Sequence, residues 1–128
     1  EVIRVPIPLV FKDNIIVMEM IGDDEPAPQL KDDDPKDPES FLDAIIHNVR
    51  KLYKHGLVHG DLSAFNILNH DQEPIFIDFS QATTTKSPGH MDLLKRDMEN
   101  VLQHFAKLKI ERDLEEVLGV ITASDTDE

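Results

Sequence analysis

The sequence predicts a mainly helical α+β domain in which a short β-hairpin carries a cluster of oxygen-donor side chains. Three observations point to it. Phe41, Leu42, Ile45, Ile46, Val49, Leu52 and Tyr53 recur at helical spacing with polar residues between them, the mark of an amphipathic helix. Met91, Leu94, Met98, Val101, Leu102 and Phe105 repeat that pattern further on. Between the two runs, Leu57-Val58 and Ile67-Leu68 flank a polar segment, and Ile75-Phe76-Ile77 follows as a short strand.

From the N-terminal end, Val2 to Phe11 reads VIRVPIPLVF, with Pro6 and Pro8 at alternate positions. Each proline removes a backbone donor, so an extended edge or connector is expected. Asp13-Asn14 turns the chain, and Ile15 to Ile21 reads as a buried strand ending at Gly22. Asp23 to Pro38 holds four prolines and a run of aspartates with only Leu30 to bury, which predicts a solvated linker.

Asp37 then offers an N-cap and Pro38 a first helical position, and His55-Gly56 stops the first helix. Asp71 to Pro74 should turn the chain into the strand Ile75 to Ile77, and Thr83 to His90 should be a loop. A third, shorter helix carries Leu114, Val117, Leu118 and Ile121, and the acidic tail from Thr122 is expected to fray. The expected organisation is an edge segment and strand over 1–22, a linker over 23–38, a helical lobe over 39–121 and a tail over 122–128.

Composition narrows the functional classes. Of 128 residues 40% are hydrophobic, enough for one modest core, and with no Trp and one Tyr that core falls to Leu, Ile, Val and Phe. Acidic residues outnumber basic ones 26 to 13, a formal charge of −13. Such a surface repels phosphate backbones, so direct nucleic-acid binding is not expected. A bound nucleotide would need Mg²⁺ and local backbone donors. The lack of cysteine excludes disulfides, thiolate metal sites and Cys nucleophiles. No apolar run approaches the ~20 residues of a membrane span, and a cytoplasmic protein that does not bind membranes is the expectation.

Chemistry concentrates in two segments, His59-Gly60-Asp61-Leu62-Ser63-Ala64-Phe65-Asn66 and Ile77-Asp78-Phe79-Ser80. Asp61 and Asn66 lie five residues apart, and Asp78 follows a dozen residues later. A hairpin joining the two apolar stretches would bring all three together. Two carboxylates and an amide carbonyl are hard oxygen ligands suited to Mg²⁺, which takes its remaining ligands from water and phosphates. One carboxylate is left to orient a nucleophile or accept its proton, the parts that phosphoryl transfer requires. His59 reads as a packed structural histidine, and Lys31, Lys51 and Lys54 as surface charge.

An Asp, an Asn five residues on and a second Asp after a short hairpin are similar to the catalytic loop and DFG element of protein kinases. The resemblance makes Asp61 the catalytic Asp and Asn66 and Asp78 the metal ligands. It implies a protein-kinase-like C-lobe with a hinge strand at its N-terminal end. Gly60 stands where ordinary kinases carry an Arg, Ser80 stands where DFG has its Gly, and no APE element follows. Without that Arg, control by a phosphorylated activation loop loses its receptor.

HGDLSxxNIL together with IDxSQ resembles the RIO family of atypical serine kinases, its RIO-one subfamily in particular. Val5 to Pro8 (VPxP), Met18 to Gly22 (MExIG), Ala27 to Asp32 (APxLKD) and Leu93 to Asp97 (LLxRD) agree in order and spacing. Ala64 and Phe65 depart from the acidic and Tyr residues expected there. The resemblance implies ATP and Mg²⁺ as cofactors, adenine contacts from Glu19 and Ile21, and Ser63 near the phosphate or as a loop hydrogen-bonder. It also implies a serine kinase or ATPase acting on the pre-ribosomal small-subunit particle, in some members through a transient phosphate on the residue matching Asp78.

Asp97 either anchors the catalytic-loop backbone or is a solvated helix charge. No Gly-rich loop or phosphate-binding Lys precedes the hinge, so the chain reads as the C-lobe half of a longer polypeptide. Two rivals stand beside this reading. One is a small-molecule kinase of the aminoglycoside-phosphotransferase type, which commonly has a His where Ser63 stands. The other is a non-catalytic docking module, which would tolerate loss of Asp61 and Asp78.

Overall fold

The structure is a computed structural model and describes residues 28–123. The expected edge segment and hinge strand, including Glu19 and Ile21, lie outside the described residues.

Helix α1 runs Pro38–Lys54. Asp37 caps it by accepting the Ser40 N–H at 3.2 Å, and Pro38 fills the first turn, where a missing N–H costs nothing. Gly56, at φ +85°, ends it in the left-handed conformation that an L side chain resists. Its apolar face, Phe41 to Leu52, is buried. Helices α2 (His90–Ala106) and α3 (Leu114–Thr122) complete the helical layer, with α3 packed against both of the others. Phe41 and Phe105 stack at 6.2 Å between α1 and α2, and Leu42, Ile45, Met98 and Ile121 fill the same core. Arg112 joins α1 to the approach of α3 through Asp43 at 2.9 Å.

Strands β1 (Leu57–Val58), β2 (Ile67–His70), β3 (Glu73–Phe76) and β4 (Thr83–Thr84) form two antiparallel pairs, β2 with β3 and β1 with β4. The architecture is mainly helical with small antiparallel sheets, as the patterning predicts. The β2–β3 turn is tighter than the expected Asp71 to Pro74. Only Asp71 and Gln72 lie between the strands, both left-handed at φ 52° and 70°, the geometry that matches strand twist in two-residue hairpins. Pro74 therefore falls inside β3, opposite Asn69. Asn69 turns its N–H outward to the Pro28 carbonyl at 2.8 Å, so this is a non-hydrogen-bonded pair and proline forfeits nothing.

Three expectations need correction. Thr83-Thr84 is strand, not loop: it pairs with Leu57-Val58, supplying partners to a buried segment that would otherwise lack them. Thr122, the first residue of the expected tail, instead closes α3 with its hydroxyl donating to the Leu118 carbonyl at 2.9 Å, and residues 124–128 lie outside the described residues. The stretch around Leu30 is a 3-10 turn, Leu30–Asp32, with Leu30 only 1% exposed. Gln29 bridges to Leu68, and Lys31 N–H donates to the Ala64 carbonyl at 3.1 Å, so this end of the acidic run is docked.

Candidate active site

The β2–β3 hairpin aims its open end at the polar loop. Its register places Ile67 opposite Phe76, and one step further out Ile77 N–H donates to the Asn66 carbonyl at 2.9 Å. Asn66 and Asp78 thus flank the mouth of one hairpin. Asn66 Nδ2 folds back onto Asp61, donating to its carbonyl at 2.7 Å and its Oδ2 at 3.3 Å. With the amide nitrogen so committed, Oδ1 is the donor atom Asn66 retains for a metal. The structure therefore ties Asn66 to Asp61 directly and sets Asp78 one residue past the Asn66–Ile77 backbone bond.

Asp78 does not adjoin a strand, because β3 ends at Phe76 and not at Ile77 as the patterning predicts. It sits past β3 in the left-handed region at φ 58°, ψ 72°, capping a 3-10 turn over Phe79–Gln81. Its Oδ1 accepts the Ser80 hydroxyl at 2.8 Å. That hydrogen bond, with help from the Ser80 N–H, holds the exposed carboxyl below its ordinary value of 3.8. Asp78 is thus an anion facing solvent. Asp61 is also exposed. Ser63 forms a local turn, its Oγ accepting the Phe65 N–H at 3.2 Å and its carbonyl the Asn66 N–H at 3.0 Å.

The donor set fits Mg²⁺. Two solvent-facing carboxylates and an amide oxygen suit an ion that binds through one or two carboxylates and keeps several waters. Among the described residues no three His, Cys, Asp or Glu side chains cluster as a complete ligand cage. Such a site needs phosphate oxygens to finish the coordination.

Three further residues hold the arrangement. Asp97 on α2 is 1% exposed and accepts two backbone N–H groups of the loop, Gly60 at 2.9 Å and Leu62 at 3.0 Å. Of the two readings open for it, the structure selects the anchor. Burial raises its carboxyl above 3.8, while the two N–H donors pull the other way. His59, 2% exposed, is the packed histidine expected of it. Its Nε2 donates to the Ile77 carbonyl at 2.8 Å and its Nδ1 accepts the Asp61 N–H at 3.1 Å, a pair of bonds that one tautomer satisfies. Its ring lies 4.6 Å from that of Phe79. Asn69 had no sequence signal. It is 3% exposed, ties the hairpin to the linker by donating to the Asp33 carbonyl at 3.2 Å, and braces the hairpin turn by accepting the Gln72 N–H at 3.0 Å.

Gly60 is buried at φ +87°, and a Cβ there would lie 2.3 Å from the Gln81 carbonyl oxygen. The Arg of ordinary kinases cannot occupy this position along this backbone path, because the turn after Asp78 closes directly over it.

A match to the RIO domain spans residues 1–117. The chain is 39% identical over 129 residues to the RIO-type serine/threonine-protein kinase Rio1 of Methanocaldococcus jannaschii, covering 99% of this chain and 44% of that one. It is 40% identical over 113 residues to the Rio1 kinase of Thermoplasma acidophilum, covering 88% and 59%. The chain thus spans about half the length of these curated relatives. Among solved structures, the Rio2 kinase–ADP/Mg²⁺–phosphoaspartate complex from Chaetomium thermophilum superposes with a TM-score of 0.67 at 24% identity, over 96% of this chain and 40% of that one. At that identity the likeness speaks for the protein-kinase-like fold.

Proposed function

Because the chain belongs to the RIO family, we propose that it supplies the catalytic loop and metal-binding hairpin of an ATP- and Mg²⁺-dependent phosphotransferase. The observation that carries this reading is the hairpin mouth at which Asn66 is fixed on Asp61 and Asp78 follows the Ile77 N–H bonded to the Asn66 carbonyl. Asn66 Oδ1 and Asp78 would hold Mg²⁺. When bound, Mg²⁺ supplies charge neutralisation for the phosphates that an acidic surface otherwise repels. Asp61 orients the acceptor hydroxyl and takes its proton. Glu19 and Ile21 are proposed as the adenine contacts and Ser63 as a neighbour of the phosphate.

A second reading assigns Asp78 as nucleophile. Its exposure suits a carboxylate that must reach phosphorus. The Asp78 oxygen forms a bond to the γ-phosphorus, the bond to the ADP oxygen breaks, and water then hydrolyses the acyl phosphate. The phosphoaspartate named in the Chaetomium thermophilum Rio2 complex supports it. Maturation of the small ribosomal subunit is the context that family membership favours.

The test is single-turnover phosphate transfer from γ-labelled Mg·ATP by the full-length protein, beside Asp61→Asn and Asp78→Asn. Transfer lost in both variants supports the phosphotransferase. Hydroxylamine-labile label on the protein, absent in Asp78→Asn, supports the aspartyl route. Transfer that survives Asp78→Asn defeats both, and function that survives both variants returns the docking module.

A further inference from the structure

Phe65 is 58% exposed, whereas Leu62, Ile67 and Leu68 of the same loop and hairpin are 0%, 0% and 6% exposed. The ring forgoes the burial that its neighbours gain. Its placement is nevertheless fixed. The Phe65 N–H donates to Ser63 Oγ at 3.2 Å, its carbonyl accepts Gln29 Nε2 at 2.9 Å, and the Asn66 N–H closes the turn on the Ser63 carbonyl at 3.0 Å. Lys31 Nζ stands 5.3 Å from the ring centroid and is itself bonded to Asp32 at 3.0 Å. An aromatic side chain braced on both sides of its backbone, with a cation against its ring, is a pre-organised contact surface.

The position of that surface says what it would meet. Asn66 reaches back to Asp61, so the residue before Asn66 forms the rim of the loop that carries the candidate base. A polypeptide that presents a hydroxyl to Asp61 must lay its neighbouring residues across this rim. The other large exposed apolar residues among those described, Met91 and Val120, belong to α2 and α3. The Lys31 charge is already matched by Asp32, which leaves the ring as the rim's distinctive chemistry.

We propose that Phe65 is a specificity-determining residue of the acceptor site, its ring receiving an apolar side chain that flanks the phosphorylated serine of a polypeptide substrate. This rests on the phosphotransferase reading above. A rigid aromatic makes such a contact at little entropic cost, so discrimination arises at the rim without disturbing Asp61.

The test is initial-rate phosphorylation, by the full-length protein, of serine peptides identical except for Leu, Phe, Ala, Asp or Lys beside the serine. The wild type should use the Leu and Phe peptides about tenfold better than the Ala peptide in kcat/KM. Phe65→Ala should erase that preference through KM, and Phe65→Leu should restore most of it. A preference for Asp or Lys, equal use of all peptides, or no peptide phosphorylated while ATP is consumed overturns the assignment. So does a loss of ADP affinity in Phe65→Ala, which would make the ring a nucleotide contact. Failure of the underlying reading looks different: ATP is not consumed, or is consumed equally by Asp78→Asn, and both proposals then fall.

Discussion

Asp97 and Gly60 are 37 residues apart in sequence, yet the Asp97 carboxylate accepts the Gly60 N–H at 2.9 Å, with the Leu62 N–H at 3.0 Å on its other oxygen. A single buried side chain on α2 therefore sets the backbone on both sides of Asp61. Asp97→Ala should strand two buried donors and cost about 2–4 kcal/mol. Urea unfolding measures the loss. Turnover per folded molecule should fall as well, since the loop carrying Asp61 loses its anchor.

Gly60→Ala should be at least as damaging for its size. The substitution adds one methyl, but at φ +87° and 2.3 Å from a backbone oxygen. Either the loop or the turn after Asp78 must move, at a cost of about 2 kcal/mol or more. A unfolding midpoint equal to wild type would contradict the close approach of Gly60 and Gln81.

Asn66→Ala, read beside Asn66→Asp, separates the metal role from the structural one. It removes Oδ1 from the candidate Mg²⁺ site and the two Nδ2 bonds to Asp61 together. The Mg²⁺ concentration for half-maximal activity should rise about 10- to 100-fold. Asn66→Asp restores an oxygen ligand but not the Nδ2 donor, so it should recover Mg²⁺ affinity more fully than rate. A Mg²⁺ titration of both variants decides it.

His104 gives the fold a pH dependence. Burial lowers its imidazole below the ordinary 6.5, with Asp34 opposing and Lys107 reinforcing the shift, and Nε2 is buried with no hydrogen-bond partner. Between the lowered value and 6.5 the unfolded chain binds a proton that the native chain refuses. The contribution is therefore full above about pH 6.5 and is lost as pH falls through that window. The melting temperature should drop as pH falls below about 6.5, and drop less in His104→Gln.

Asn69→Leu tests the latch between linker and hairpin. It deletes the side-chain bonds to Asp33 and Gln72 at a residue 3% exposed while keeping its size. A loss of about 1–3 kcal/mol is expected, with hydrogen exchange faster in β2 and β3 than in α1.

The sequence by itself determined the helices and the hairpin that the candidate residues flank. Caps such as Asp37 and Gly56, and apolar residues at helical spacing, are local signals, and helices are stabilised by contacts close along the chain. Asp61, Asn66 and Asp78 were legible because a short hairpin leaves their spacing few other outcomes. The tertiary structure alone decided what depends on distant partners. Thr83-Thr84 is a strand only because Leu57-Val58 lies beside it, and Asp97 is an anchor only because α2 packs under the loop. Leu30 is core, not linker, because the chain doubles back onto Ala64 and Leu68. In each case the free energy comes from burial and hydrogen bonds between segments far apart in sequence, and no local pattern encodes those.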